Sequence, residues 1–186
     1  MAENKLDFEQ VEQNNLDKFI EKYSDRSERL KDIIELLVDM GYFVCPAAKG
    51  HHGNHPGGLF EHSEAVTEIL LELTSKLGLQ WSSEDSPMVI GLLHDLCKTD
   101  QYKFESDGTI IWNNDQLYDG HGEKSLIMAL DVIEWLTPEE MACIRYHMGA
   151  FTDEKEWKFY SKAVNTFPNV LWTHTADMIA SQIKGI

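Results

Sequence analysis

The chain has 186 residues, 42% hydrophobic and 26% charged, enough for a single domain with a large core and no disulfide support. Its net charge of −16, from 32 acidic and 16 basic residues with no basic stripe, argues against duplex DNA or structured RNA as a partner. Cys45, Cys97 and Cys143 are odd in number and irregularly spaced, which speaks against a disulfide framework and for a reducing compartment. The first ten residues lack the basic start and apolar core of a signal peptide, and no apolar run approaches the ~20 residues that span a bilayer. A cytoplasmic protein with no membrane partner is expected.

Residues 1–23 are charged and weakly amphipathic, and are expected to form a peripheral helix outside a core of about 27–183. Asp25-Arg26-Ser27-Glu28 resembles a capping box, followed by Leu30, Ile33, Ile34, Leu37 and Met40 at helical spacing and then Gly41 as a stop. Over 59–77 an apolar face of Val66, Ile69, Leu70, Leu73 and Leu77 predicts a long helix closed by Gly78, with His62 on its buried side. Ser86-Pro87 reads as an N-cap and first helical residue, opening a helix that turns Ile90, Leu93, His94 and Cys97 inward.

Tyr102, Phe104, Ile110 and Trp112 alternate around Ser106-Asp107-Gly108, which predicts a short β-hairpin, either a connector or a lid. Helices resume over about 123–135. A second starts at Thr137-Pro138-Glu139-Glu140, another capping box, and ends near His147 with Gly149 as its stop. An amphipathic piece covers about 154–163, and a last helix from near Pro168 carries Leu171, His174, Asp177, Met178 and Ile179. The fold class expected is all-α, a helical bundle with one short hairpin near 102–112.

His94 and Asp95 stand side by side late in an apolar helix. Adjacent helical residues point about 100° apart, so one helix cannot easily bury both in its own core. In a seam between helices, however, imidazole and carboxylate can meet on a divalent cation. His62, His121, His147 and Asp177 occupy separate, mostly helical settings, giving the order His, His-Asp, His, His, Asp. A core holding four imidazoles and two carboxylates without a cation would be costly.

That order, with its flanking residues, resembles the HD superfamily of metal-dependent hydrolases over about 51–181. The likeness is carried by Pro56-Gly57-Gly58-Leu59-Phe60-Glu61-His62-Ser63, Leu92-Leu93-His94-Asp95-Leu96-Cys97-Lys98 and His174-Thr175-Ala176-Asp177. Gly120-His121-Gly122-Glu123-Lys124-Ser125 and Arg145-Tyr146-His147-Met148-Gly149 resemble the extra histidines of the subgroup that holds two metals. Cys97 departs from the family, which often has a small residue before the lysine.

The resemblance implies an HD-domain bundle in which His62, His94, Asp95 and Asp177 hold one ion. His121 and His147 then hold a second, bridged to the first by Asp95. One or two divalent ions are expected, of Mn, Fe, Mg or Zn. The chemistry implied is hydrolysis of a phosphoester by a metal-activated water, with Asp95 and Lys98 as catalytic residues and Lys98 against the substrate phosphate. Four neutral imidazoles and two carboxylates contribute −2 and two divalent ions +4, so an acidic chain can still take a small anionic, nucleotide-like substrate.

Other residues admit two readings. His55, before the Pro56-Gly57-Gly58 turn, either touches substrate or is a solvated loop histidine, and His51 and His52 fit the second class. Lys98 could instead interact with helix-end carbonyls. His174 is either a support for the site or an ordinary buried histidine, and Arg145 reads as a surface residue. Two other functions share these residues: an HD-type di-iron oxygenase acting on a small polar substrate, and a non-catalytic ligand-binding regulatory module. A nuclease role would need an oligonucleotide-binding domain for which the chain has neither room nor charge. The oligomeric state is not legible in the sequence.

Overall fold

A computed structural model describes residues 8–50, 53–105 and 107–186. It is an all-α bundle with one two-stranded hairpin. Helix α1 (Phe8–Phe19) runs into a π-helical turn (Ile20–Ser24). Short helices α2 (Glu28–Asp32) and α3 (Ile34–Asp39) follow, then the long α4 (Gly58–Leu77) and the buried α5 (Ser86–Leu93). After α6 (Lys98–Gln101) come strands β1 (Tyr102–Phe104) and β2 (Ile110–Trp112). Helices α7 (Gly122–Val132), α8 (Pro138–Tyr146), α9 (Trp157–Thr166) and α10 (Asn169–Met178) complete the bundle.

The N-terminal segment is not peripheral, contrary to its weak amphipathicity. Phe19 and Tyr23 are fully buried, and Phe19 packs edge-to-face on Phe43 with ring centres 5.5 Å apart. Phe43 meets Phe60 in the same way at 5.6 Å, so α1 supplies part of an aromatic core shared with α4. Asn15 Nδ2 donates to the Phe43 carbonyl at 2.8 Å, which leaves that buried amide satisfied. Two large rings do the burying here, where a continuous apolar stripe would have been readable. Residues 1–7 lie outside the described residues.

Several helix ends differ by a residue or two from expectation. Ser27, not Asp25, is the cap of α2, accepting from Leu30 N at 3.3 Å. Ile33 (φ −97°, ψ 1°) then divides the expected single helix into α2 and α3. Asp85, not Ser86, precedes α5. Both shifts have one cause: these residues serve a distant partner. Ser27 Oγ and Arg29 bond Asp85, and Arg29 and Ser86 Oγ bond Glu140, with distances of 2.5–3.0 Å. This cluster ties α2, α5 and α8 together. Glu140 is also the third residue of the Thr137 capping box, which forms as expected.

α5 is buried on every side because it lies between α4 and α8. Gly91 makes this possible. A Cβ there would meet Thr67 Oγ1 and lie 2.7 Å from Thr67 Cα, so the two helices approach more closely than any larger residue permits. The hairpin pairs Tyr102 with Trp112 and Phe104 with Ile110; Ser106, in its expected turn, lies outside the described residues. Among the described residues no helix is long and apolar enough to cross a membrane.

Candidate metal centre

Five helix ends meet at one point, and each brings a histidine or an aspartate. His62 sits just inside the start of α4, which Leu59 N anchors to the Cys45 carbonyl. His94 and Asp95 follow the last residue of α5, where the backbone tightens into i→i+3 turns (Leu96 N to Leu93 O, Lys98 N to Asp95 O). This tightening brings two adjacent side chains to one seam, which a straight helix would not do. His121 immediately precedes α7, His147 ends α8, and Asp177 lies near the end of α10.

Glycines permit the approach. A Cβ at Gly122 would strike the Arg145 backbone carbonyl, so the loop bearing His121 can press against α8. Gly149 (φ +55°) turns the chain after His147 and faces the His174 ring at 2.8 Å from its own missing Cβ.

The geometry is close. His62 Nε2 lies 3.3 Å from Asp177 Oδ1, while His121 Nε2 and His147 Nε2 lie 2.8 and 3.4 Å from Asp95 Oδ1. The His94 ring stands between, 5.3 Å from His62 and 4.9 Å from His147. Three groups could each hold a metal ion: His62, His94 and Asp177; His94, Asp95 and His147; and Asp95, Cys97 and His121. His94 and Asp95 are shared between them.

Three ring nitrogens have fixed roles. Nδ1 of His62, His94 and His147 faces the carbonyls of Ile186, Gly91 and Ile144 at 2.9, 2.9 and 2.7 Å. A carbonyl only accepts, so each Nδ1 carries a proton and each Nε2 faces the centre. Within it, Asp95 Oδ1 faces the His121 and His147 rings, and His94 Nε2 and His147 Nε2 are buried without a hydrogen-bond partner in the protein. Buried polar atoms are rarely left so. Imidazoles at the ends of α4, α5 and α8 converging on one space with the Asp95 carboxylate suit a cation.

Burial opposes the charged form of His62 and His147, yet the facing carboxylates of Asp177 and Asp95 raise both overall. Burial, with the neighbouring imidazoles, pushes His94 down to about 4 against the pull of Asp95, so it is neutral near pH 7 and free to donate to a metal. Burial opposes the Asp95 charge, yet His121, Lys98 and His94 outweigh it and hold the carboxyl well below its ordinary range.

A cavity of about 460 Å³ opens above the cluster. Its lining includes the polar His62, Asp95, Lys98, His121 and Asp177 and the apolar Met148, Phe151 and Met178; His94 and His147 are fully buried. Lys98 Nζ sits 5.7 Å over the Tyr102 ring.

His55 is not brought to this site. It is half-exposed, 3.5 Å from Glu61 and 3.1 Å from the Pro56 carbonyl, and is absent from the cavity wall. His51 and His52 lie outside the described residues. Among the described residues the hairpin contributes none to the cavity wall. Arg145 is not a surface residue: its side chain is 17% exposed, pairs with Glu123 and with Glu156 at 3.1 Å, and stacks on Tyr146. Helical position placed it away from His147, and the neighbouring α7 covers that side. His174 reaches the cluster only through the backbone, its Nδ1 2.7 Å from the His147 carbonyl.

Two contacts had no legible signal: the Ile186 carbonyl on His62, from the far end of the chain, and Cys97 Sγ at 3.2 Å from His121 Nδ1.

One curated protein is similar to part of the chain. It is a dihydroneopterin 2',3'-cyclic phosphate phosphodiesterase from Methanocaldococcus jannaschii, 34% identical over 107 residues. The match covers 50% of this chain and 43% of that protein, so the chain spans less than half the length of this relative. No family model and no solved structure matches the chain.

Proposed function

We propose that the chain is a single HD-type domain, a metal-dependent phosphohydrolase acting on a small phosphoester, with a nucleotide-like cyclic or linear phosphodiester as the preferred class. The observation that carries this reading is the convergence of His94 Nε2 and His147 Nε2, buried without partners, with the Asp95 carboxylate beneath a cavity lined by Lys98. The relative's activity supports hydrolysis over oxygenation or a purely regulatory role, and favours a diester.

In this reading His62, His94, Asp95 and Asp177 hold one divalent ion, and Asp95, His121 and His147 a second, of Mn, Fe, Mg or Zn. When bound, such a pair supplies a hydroxide-like nucleophile at neutral pH and neutralises charge on phosphoryl oxygens. The chain's own residues do the rest. The Gly91, Ile144 and Ile186 carbonyls fix three imidazoles with Nε2 inward. Lys98 offers a cation to a non-bridging phosphate oxygen. Met148, Phe151 and Met178 give the cavity apolar surface for the apolar part of the substrate.

The test is hydrolysis by the metal-stripped protein of bis(p-nitrophenyl) phosphate, 2',3'-cyclic nucleotides and p-nitrophenyl phosphate, with Mn²⁺, Mg²⁺, Fe²⁺ or Zn²⁺ restored singly. Turnover of a diester that appears only with a restored metal is expected. Failure on every phosphate, with O₂ consumed by the iron-loaded protein, would replace hydrolysis by oxygenation.

A further inference from the structure

The four histidines of the cluster are not held alike. His62, His94 and His147 each set Nδ1 against a carbonyl, which accepts and never donates. Their Nδ1 protons are fixed and their Nε2 atoms point inward. His121 has a thiol instead, Cys97 Sγ at 3.2 Å from Nδ1, while its Nε2 lies 2.8 Å from Asp95 Oδ1.

A thiol both donates and accepts, weakly in each direction. With the His121 proton on Nε2, facing Asp95, the thiol proton can point to Nδ1. With Nε2 engaged by a cation, Nδ1 carries the proton and points it to sulfur. Neither arrangement leaves a buried nitrogen unpaired. The sulfur is well placed for this. Cys97 is 1% exposed, so water does not compete, and its backbone N–H donates to Ser125 Oγ at 3.2 Å on α7, the helix that His121 precedes. Asp95, Cys97 and His121 are also one of the groups close enough to surround a cation.

We infer that Cys97 is the positioning residue of His121, and that this adaptable partner makes the His121 ion the separable member of the pair. The rings near the His62 ion are held from behind by carbonyls, which fix their orientation. The His121 ring is held from behind only by a weak sulfur contact, and its Nε2 lies closer to a carboxylate, 2.8 Å against 3.3 Å for His62, so the ion there binds more weakly. This inference rests on the two-ion reading above.

Titration of the metal-free protein with Mn²⁺, followed by the free-ion electron paramagnetic resonance signal, tests it without any assay of activity. The unaltered protein is expected to take two equivalents, the second more weakly. In Cys97→Ala the first should be unchanged and the second weakened by about tenfold or more, as for loss of a partner behind a metal ligand. Cys97→Ser, whose hydroxyl also donates and accepts but reaches less far, should recover part of the loss. It also serves if the alanine variant does not fold, being still weaker than the unaltered protein at the second equivalent alone. An unchanged second equivalent in the variants would overturn the role, and so would equal weakening of both, which signals general disturbance of packing. An intense thiolate-to-metal charge-transfer band in the Co²⁺ derivative would make Cys97 a ligand and overturn it too. If the unaltered protein takes only one equivalent at saturation, the two-ion reading itself fails and this inference with it, an outcome distinct from the others.

Discussion

Asp95→Ala is expected to strip the protein of bound metal and to lower its turnover of a phosphodiester at least about a thousandfold, or about 4 kcal/mol of transition-state stabilisation. The size of the effect follows from the position. Asp95 Oδ1 lies 2.8 Å from His121 Nε2 and 3.4 Å from His147 Nε2, in a buried carboxylate. In the proposed arrangement this carboxylate belongs to both ions, so its loss removes a ligand from each and leaves two close cations without the anion between them. Asp95→Asn, nearly the same shape, separates charge from volume: it should fold as the unaltered protein does and still lose metal. Two ions retained by either variant, counted by elemental analysis, would end the bridging assignment.

Lys98→Ala should leave folding and metal content unchanged and reduce kcat/KM on phosphoesters by roughly 30- to 150-fold, the worth of one charge-assisted contact of about 2–3 kcal/mol. Lys98 lines the cavity and rests over the Tyr102 ring. Burial pulls its ammonium down, but the charge of Asp95 and its other neighbours raises it overall, so it remains a cation at pH 7. Among the described residues it makes no ion pair within 4.0 Å, which leaves the charge available to a substrate. Arginine should restore only part of the loss, because a planar fork does not occupy the place of a compact ammonium. Unaltered kinetics in Lys98→Ala, on monoesters and diesters alike, would return Lys98 to the role of a helix-end residue.

What the sequence made legible was local. The apolar face of α4 with Gly78 behind it, the Thr137 capping box, Gly149 after α8 and the alternation of the hairpin all rest on neighbours within a few residues. The cluster of histidines and aspartates was legible for another reason. Such residues are costly to bury singly, and an ordered set of them on five segments implies a common partner. What stayed hidden depends on distant parts of the chain. Asp25 resembled a cap until Ser27, bonded to Asp85, took the place. The burial of Phe19 is decided by Phe43 and Phe60, and that of Arg145 by Glu123 and Glu156. His55 shares a glycine-rich turn with the site, yet its side chain turns to Glu61. No periodicity announces a sulfur behind His121 or a carbonyl behind His62.

The most direct test of a metal centre is a count of ions per chain by native mass spectrometry, on the protein as purified and after equilibration with Mn²⁺ and chelator-free washing. Two ions per chain are expected in the unaltered protein and none in Asp95→Ala. A protein that holds no divalent ion under any of these conditions, while remaining folded, would contradict the account.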